Sequence, residues 1–171
     1  GQMIFHHEDS SLAGMDLFWD VDKTITKLTN AKKIRPAIVV TVWMSDWAKG
    51  ARGAEFMRQK VVPSEVWKEM LKDSDRFATE VGGESISSDN HLRFFVEELK
   101  LFVDNNYRTL TAKEETFTAG SSMGGFISAY AIAEYPDIFG GAACLSMDWS
   151  IAGSLAVDWF KENWPSAGGN R

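Results

Sequence analysis

Residues 119–125 read AGSSMGG and contain the spacing G-x-S-x-G at Gly120, Ser122 and Gly124. A strand-like run precedes this segment and a helix-like run follows it, which is the context of a serine nucleophile held at a sharp turn. Small residues on either side of such a serine let the strand and the helix approach closely. The backbone N–H of Met123, at the start of the helix, could then stabilise an oxyanion. The pattern predicts acyl-transfer chemistry at Ser122, and the alternative is a glycine-rich turn without catalytic function.

A serine nucleophile needs a base, and the chain has three histidines, His6, His7 and His91, all of which precede Ser122. We interpret His91 as a solvated polar residue in the first turn of a helix. His6 and His7 lie in an opening segment that we interpret as a loop, and either one is a candidate base, although a loop histidine is often only solvated. Asp148, just after a predicted strand, is a candidate acid or a helix cap.

Composition excludes several classes of protein. The 171 residues are 44% hydrophobic, enough for one globular domain over residues 1–171, and the net charge of −6 without clustered Lys or Arg argues against a nucleic-acid partner. No apolar run approaches the roughly 18 residues of a membrane span. The residues HHED at 6–9 are adjacent rather than at ligand spacing, so we predict no metal, and no cofactor is implied. Cys144 is the single cysteine, so the sequence predicts no internal disulfide. Such a chain could be cytoplasmic, or it could be secreted and have lost its signal peptide.

Strand and helix patterns alternate along the chain, which predicts a three-layer α/β/α domain with a mostly parallel, Rossmann-like sheet. Strands are predicted at 37–43, 116–120 and 140–147, and helices at 20–30, 63–73, 88–107, 125–135 and 154–164. Segments 1–19 and 45–62 are interpreted as loops. The long helix is predicted to bury one apolar face, made of Leu92, Phe95, Val96, Leu99, Phe102 and Val103.

Residues 82–146, with PAIVVTVW and GARGAEF ahead of them, resemble the putative-esterase family of α/β-hydrolases. That family contains enterochelin-type, esterase-D-type and feruloyl or acetyl-xylan esterases. The resemblance implies a small-molecule ester substrate. The opening GQMIF is similar to the second half of the family's His-Asp-Gly-Gln loop, which implies substrate-binding roles for Gln2 and, beside the nucleophile, Ser121. Arg52 and Glu55 in GARGAEF are expected to form an ion pair that braces the surroundings of the site.

The chain also departs from the family pattern, in which the acid and then the histidine follow the serine. No histidine follows Ser122 here, so we expect an incomplete or non-standard triad in a domain truncated at both ends. In that alignment a family strand that lies between 37–43 and 116–120 is missing, which would leave a gap or force these strands together. Unpaired strand edges attract a partner, so we predict a homo-oligomer, in the simplest case a dimer.

These observations lead to two hypotheses for the function of the chain. The first is a serine carboxylesterase that hydrolyses short-chain acyl esters with Ser122 as nucleophile. The second is a catalytically inactive hydrolase fragment that acts as an assembling or binding module. The missing downstream histidine favours the second hypothesis, and the motif context favours the first.

Overall fold

The fold was analysed on a computed structural model that describes residues 2–8, 20–43, 51–57, 59–72, 86–147, 149 and 153–166. For residues 2–8, and for positions 43, 51, 52 and 71, the description is of the backbone.

In the described part of the chain, four parallel strands form one sheet in the order β2-β1-β3-β4. The strands are β1 (Gln2–Glu8), β2 (Ala37–Trp43), β3 (Thr116–Ser121) and β4 (Gly141–Leu145). Parallel neighbours require a crossover between them, and the intervening segments supply helices for this purpose. The predicted α/β class with a parallel sheet is therefore confirmed, together with the three strands expected from sequence.

Strand β1 corrects two predictions, because residues 2–8 were expected to be loop and the sheet was expected either to have a gap between β2 and β3 or to bring these two strands together. β1 fills that position, pairing with β2 from Gln2 to Glu8 and with β3 from Met3 to His6. Both predictions are wrong for the same physical reason. Only three consecutive apolar residues, at 3–5, mark this strand in the sequence, and hydrogen bonding from two neighbouring strands supplies what the local pattern lacks.

Helices connect the strands and cover the sheet. Those in the described ranges are α1 (Val21–Asn30), α2 (Ala51–Phe56), α3 (Ser64–Lys72), α4 (residues 88–106), α5 (Met123–Glu134) and α6 (Gly153–Asn163). The connection from β1 to β2 moves across the sheet towards one side, whereas the connections from β2 to β3 and from β3 to β4 move towards the other side. Right-handed crossovers therefore place α1 on one face and α4 and α5 on the other, which gives three layers. Helix α2 lies within segment 45–62, so the loop prediction is wrong there.

Helix α4 contains a π-helical stretch at Phe94–Leu99, between α-helical turns at Ser88–Arg93 and Lys100–Asn106. A π turn adds a residue to the helical repeat and rotates everything after it. The predicted apolar face therefore holds at Leu92 and Phe95, which are buried, but fails at Phe102, which is 58% exposed. Lys100 is buried in its place, with its Nζ 2.7 Å from a carboxylate oxygen of Asp104.

The core lies between the sheet and the α4–α5 layer. Helix α5 is buried at every position from 123 to 131, so it is apolar on all sides rather than amphipathic. The largest fully buried side chains of the core are Trp67, Tyr130, Phe56, Phe95 and Phe126, of which Phe126 and Tyr130 belong to α5. Over the described ranges, no helix is both long and apolar enough to cross a membrane.

Candidate active site

Ser122 occupies the turn between β3 and α5, with backbone angles φ 55° and ψ −118°. A side-chain-bearing residue rarely adopts a positive φ, and this region of backbone space costs about 1–3 kcal/mol. Such strain persists only where the surrounding structure enforces it. Ser122 is half-buried, so a side chain at this turn remains accessible from solvent.

Two backbone hydrogen bonds hold this turn in place. The N–H of Ser122 donates to the carbonyl oxygen of Leu145, at the end of β4, over 3.0 Å. The carbonyl oxygen of Ser122 accepts from the N–H of Phe126 over 3.2 Å, which closes the first turn of α5. The strained residue is thus fixed on one side by a neighbouring strand and on the other by its own helix.

The glycine spacing around Ser122 has a direct steric cause. A Cβ atom on Gly120 would lie 2.4 Å from the carbonyl carbon and oxygen of Gly124, and one on Gly125 would lie 3.1 Å from the carbonyl oxygen of Leu145. The first distance is far inside van der Waals contact. Strand β3 and helix α5 can therefore approach this closely only because Gly120 has no side chain.

Met123 is the first residue of α5, and its side chain is buried. The first N–H groups of a helix have no partner within the helix, and the helix dipole adds partial positive charge at this end. An anion that forms beside Ser122 would therefore meet a favourable electrostatic field. The structure thus supplies the strand, turn and helix that the motif predicts, with the Met123 amide at the start of the helix.

The carboxyl ends of all four parallel strands meet at the edge of the sheet where Ser122 lies. His6 pairs with Ala119 of β3, and His7 pairs with Val42 of β2, so both belong to a strand and not to the predicted loop. Their backbone approaches the serine edge, but their side chains lie outside the described part of the structure. Ser121 ends β3 and is half-buried next to Ser122.

One other predicted residue, Gln2, lies away from this edge. Gln2 pairs with Ala37 at the opposite end of the sheet, about 20 Å from Ser122 at roughly 3.3 Å per strand residue. Asp148 lies outside the described residues, and so does the side chain of Arg52. Among the described side chains, no group of three His, Cys, Asp or Glu is arranged to hold a metal ion.

His91 is not the solvated residue that its place in the sequence indicates, because 7% of its side chain is exposed. Its ring packs between Phe56 and Phe95, at centroid distances of 5.5 and 4.8 Å. Its Nδ1 lies 3.6 Å from a carboxylate oxygen of Glu55, yet burial dominates and lowers the pKa of His91 to about 4. His91 is therefore neutral at pH 7 and supports the packing of α2 against α4.

Two residues near the turn were missed from the sequence. Thr118 on β3 and Ser128 on α5 are buried and hydrogen-bonded to each other through their hydroxyl groups. A signal for them was present, because Ser128 interrupts an otherwise apolar helix, and a buried hydroxyl needs a partner.

Comparison with protein families gives a match over residues 10–168 to a family described as "Putative esterase". A search of curated proteins finds no sequence significantly similar to this chain.

Solved structures of similar fold include a BES protein and two proteins named as esterases. The BES protein from Bacillus cereus has a TM-score of 0.62 at 18% identity, over 95% of this chain and 55% of that one. The enterobactin esterase from Shigella flexneri has a TM-score of 0.59 at 19% identity, over 99% of this chain and 38% of that one. A ferulic acid esterase has a TM-score of 0.50 at 16% identity, over 85% of this chain and 45% of that one. The chain thus spans about half or less of the length of each.

Proposed function

We propose that this chain, which belongs to the esterase family of α/β-hydrolases, carries the nucleophile of a serine ester hydrolase at Ser122. The observation that carries the proposal is the backbone conformation of Ser122 at the turn from β3 into α5, φ 55° with ψ −118°. Asp20, Lys32 and Ser146 also have positive φ, but Asp20 lies in the left-handed helical region (φ 44°, ψ 40°) and Ser122 lies outside it. A glycine-rich turn without catalytic function does not require a side-chain-bearing residue in that conformation. Strain of this kind clusters at active sites, where it holds a reacting group in position.

In the proposed reaction the Ser122 hydroxyl oxygen attacks the carbonyl carbon of an ester and its proton passes to a base. Negative charge collects on the former carbonyl oxygen, where the Met123 amide at the start of α5 stabilises it. The bond to the alcohol then breaks, the base returns the proton to the leaving oxygen, and water releases the acid from Ser122. His6 or His7 is proposed as the base because β1 is the strand next to β3, and Asp148 as the acid.

We propose small esters with short acyl chains as the substrate class. The support is the position of Ser122, half-buried at the edge of the sheet, where a small ester can reach it. Two similar structures are named as a ferulic acid esterase and an enterobactin esterase. A ferulic acid ester and enterobactin are therefore the natural substrates to compare with p-nitrophenyl butyrate.

Labelling with a fluorophosphonate tests the nucleophile directly. We expect one adduct, located by mass spectrometry on Ser122, and no adduct in Ser122→Ala. Ser154→Ala, a change at an exposed position of α6, is the matched control and should label as the unmodified chain does. Turnover of p-nitrophenyl butyrate should be lost in Ser122→Ala alone. An adduct on the neighbouring Ser121, or equal turnover in Ser122→Ala and the unmodified chain, would contradict the assignment.

If no adduct forms, the second hypothesis, a non-catalytic assembling or binding module, becomes the better one.

We also propose that the chain self-associates as a dimer. The expected gap in the sheet no longer supports this, because β1 fills it. The remaining support is that β2 and β4 are outer strands of the described sheet and that Leu145 on β4 is 45% exposed.

A further inference from the structure

Helix α5 contains one serine, Ser128, in its buried stretch. Ser128 is fully buried, and Thr118 on the adjacent strand β3 is almost fully buried. A hydroxyl in such surroundings destabilises the fold unless its hydrogen bonds are made. Here the Thr118 Oγ1 and the Ser128 Oγ lie 3.2 Å apart, and the Ser128 Oγ lies 2.8 Å from the carbonyl oxygen of Gly124.

The directions of these two hydrogen bonds follow from the chemistry of the groups. A carbonyl oxygen only accepts, so Ser128 must donate its single proton to Gly124. Ser128 therefore has no proton left for Thr118, and Thr118 must donate to Ser128. The result is an ordered chain in which a strand hydroxyl supports a helix hydroxyl, and the helix hydroxyl supports a carbonyl in the first turn of α5.

That carbonyl is the one that the strand touches at the turn. The carbonyl carbon and oxygen of Gly124 lie 2.4 Å from the position that a Cβ atom on Gly120 would take. The two hydroxyls therefore join β3 and α5 directly behind Ser122, at the closest approach of the two elements. Thr118 is four residues before Ser122 and Ser128 is six residues after it, so the bond spans the turn from both sides.

We infer that Thr118 and Ser128 are positioning residues for the nucleophile, an inference that rests on the proposed role of Ser122. By fixing the Gly124 carbonyl against β3, they hold Ser122 at its positive φ and keep the Met123 amide aimed at the reacting carbonyl. Neither side chain touches the substrate. Their effect on the reaction passes through the geometry of the turn.

The test is the double variant Thr118→Val/Ser128→Ala, which removes both hydroxyls at nearly constant shape. Replacing both partners of a buried hydrogen bond by apolar groups is close to neutral for stability, so the urea unfolding midpoint should stay near that of the unmodified chain. The rate constant for acylation of Ser122 by a fluorophosphonate should nevertheless fall at least tenfold, since displacement of a reacting group by about 1 Å can cost about 100-fold. Turnover of p-nitrophenyl butyrate should show the loss in kcat rather than in KM.

Thr118→Ser is the conservative control, because it keeps the donor and should keep the acylation rate of the unmodified chain. A double variant that is as stable and as reactive as the unmodified chain would overturn the inference. A merely structural pair would lose stability and reactivity together in the single variants and recover both in the double variant.

Amide hydrogen exchange separates this inference from the proposed function. In the double variant, the amide of Ser122, bonded to Leu145, should exchange faster, while the amide of Gly140, bonded to Thr116 between the same two strands at the opposite edge, should be unchanged. If the unmodified chain forms no adduct, the proposed function fails, and exchange at Ser122 still decides whether the pair holds the turn. Unchanged exchange at Ser122 would refute that role.

Discussion

The steric contact between β3 and α5 makes Gly120→Ala the sharpest perturbation of the candidate site. Alanine adds one methyl group and leaves the charge and the hydrogen-bonding groups of the chain unchanged. That methyl carbon would lie 2.4 Å from the carbonyl carbon and oxygen of Gly124 and 2.8 Å from its Cα. All three atoms are backbone, so no side chain can rotate away to relieve the overlap.

The size of the effect follows from these distances. Ordinary carbon contacts begin at about 3.5 Å, so β3 and α5 must separate by roughly 1 Å at the turn. Overpacking of this kind costs about 1–3 kcal/mol of unfolding free energy. Because the displacement occurs at the base of the turn, Ser122 moves with it, and a shift of about 1 Å can lower the reaction rate about 100-fold. Stability and reactivity should therefore both fall.

The matched control is Gly140→Ala. A Cβ on Gly140 would lie 2.4 Å from the carbonyl oxygen of Lys113 and 2.9 Å from the Cα of Glu114, an equal overlap with backbone at the opposite edge of the sheet. Both variants should lose similar stability in urea unfolding. Only Gly120→Ala should lose fluorophosphonate reactivity once the rate is corrected for the folded fraction.

Two outcomes would refute this reasoning. A Gly120→Ala variant as stable as the unmodified chain would show that β3 and α5 are not in the close contact described. Equal reactivity per folded molecule in Gly120→Ala and Gly140→Ala would show that the contact does not position Ser122.

Two further predictions concern the remainder of the molecule. Burial lowers the pKa of His91 from 6.5 to about 4, so the unfolded chain takes up the proton at a higher pH than the folded chain does. The free energy of unfolding is therefore unaffected by this proton above pH 6.5. It falls as the pH drops from 6.5 towards 4, by at most about 3 kcal/mol. Urea unfolding at pH 7 and pH 4.5 should show this loss in the unmodified chain and a smaller one in His91→Gln, and equal losses would contradict it. Sedimentation velocity at micromolar concentration should show a dimer, and a monomer alone would rule out the proposed self-association.

The strands show which elements of the fold a local sequence pattern can predict. β2, β3 and β4 were predicted because each is a short apolar or β-branched run between turn residues. β1 was missed although it is central in the sheet, because its apolar run ends at two histidines and a glutamate. Pairing with β2 from Gln2 to Glu8 and with β3 from Met3 to His6 is a long-range interaction, and no window of sequence contains it.

Helix α4 shows the same limit in a different form. Its existence was predicted from apolar periodicity, and so was the burial of Leu92, Phe95 and Val103, but the exposure of Phe102 and the burial of Lys100 were not. The π-helical stretch shifts the phase, so that Lys100 is buried with Asp104 while Phe102 faces solvent. Nothing in the sequence marks where a helix will add a residue to its turn, because the choice depends on what the rest of the chain packs against it.

In the candidate site, too, some features follow from the local sequence and others from long-range contacts. The sequence by itself determined the turn at Ser122, because the glycines at positions 120 and 125 permit a strand and a helix to approach closely around a serine, and that spacing is local. Tertiary structure alone decided which groups surround the turn: the Leu145 carbonyl that holds the Ser122 amide, the Thr118–Ser128 bond behind it, and the burial that makes His91 neutral. These contacts join segments that are distant in the chain or lie on different elements, and their energies exist only once the sheet and its helices are assembled.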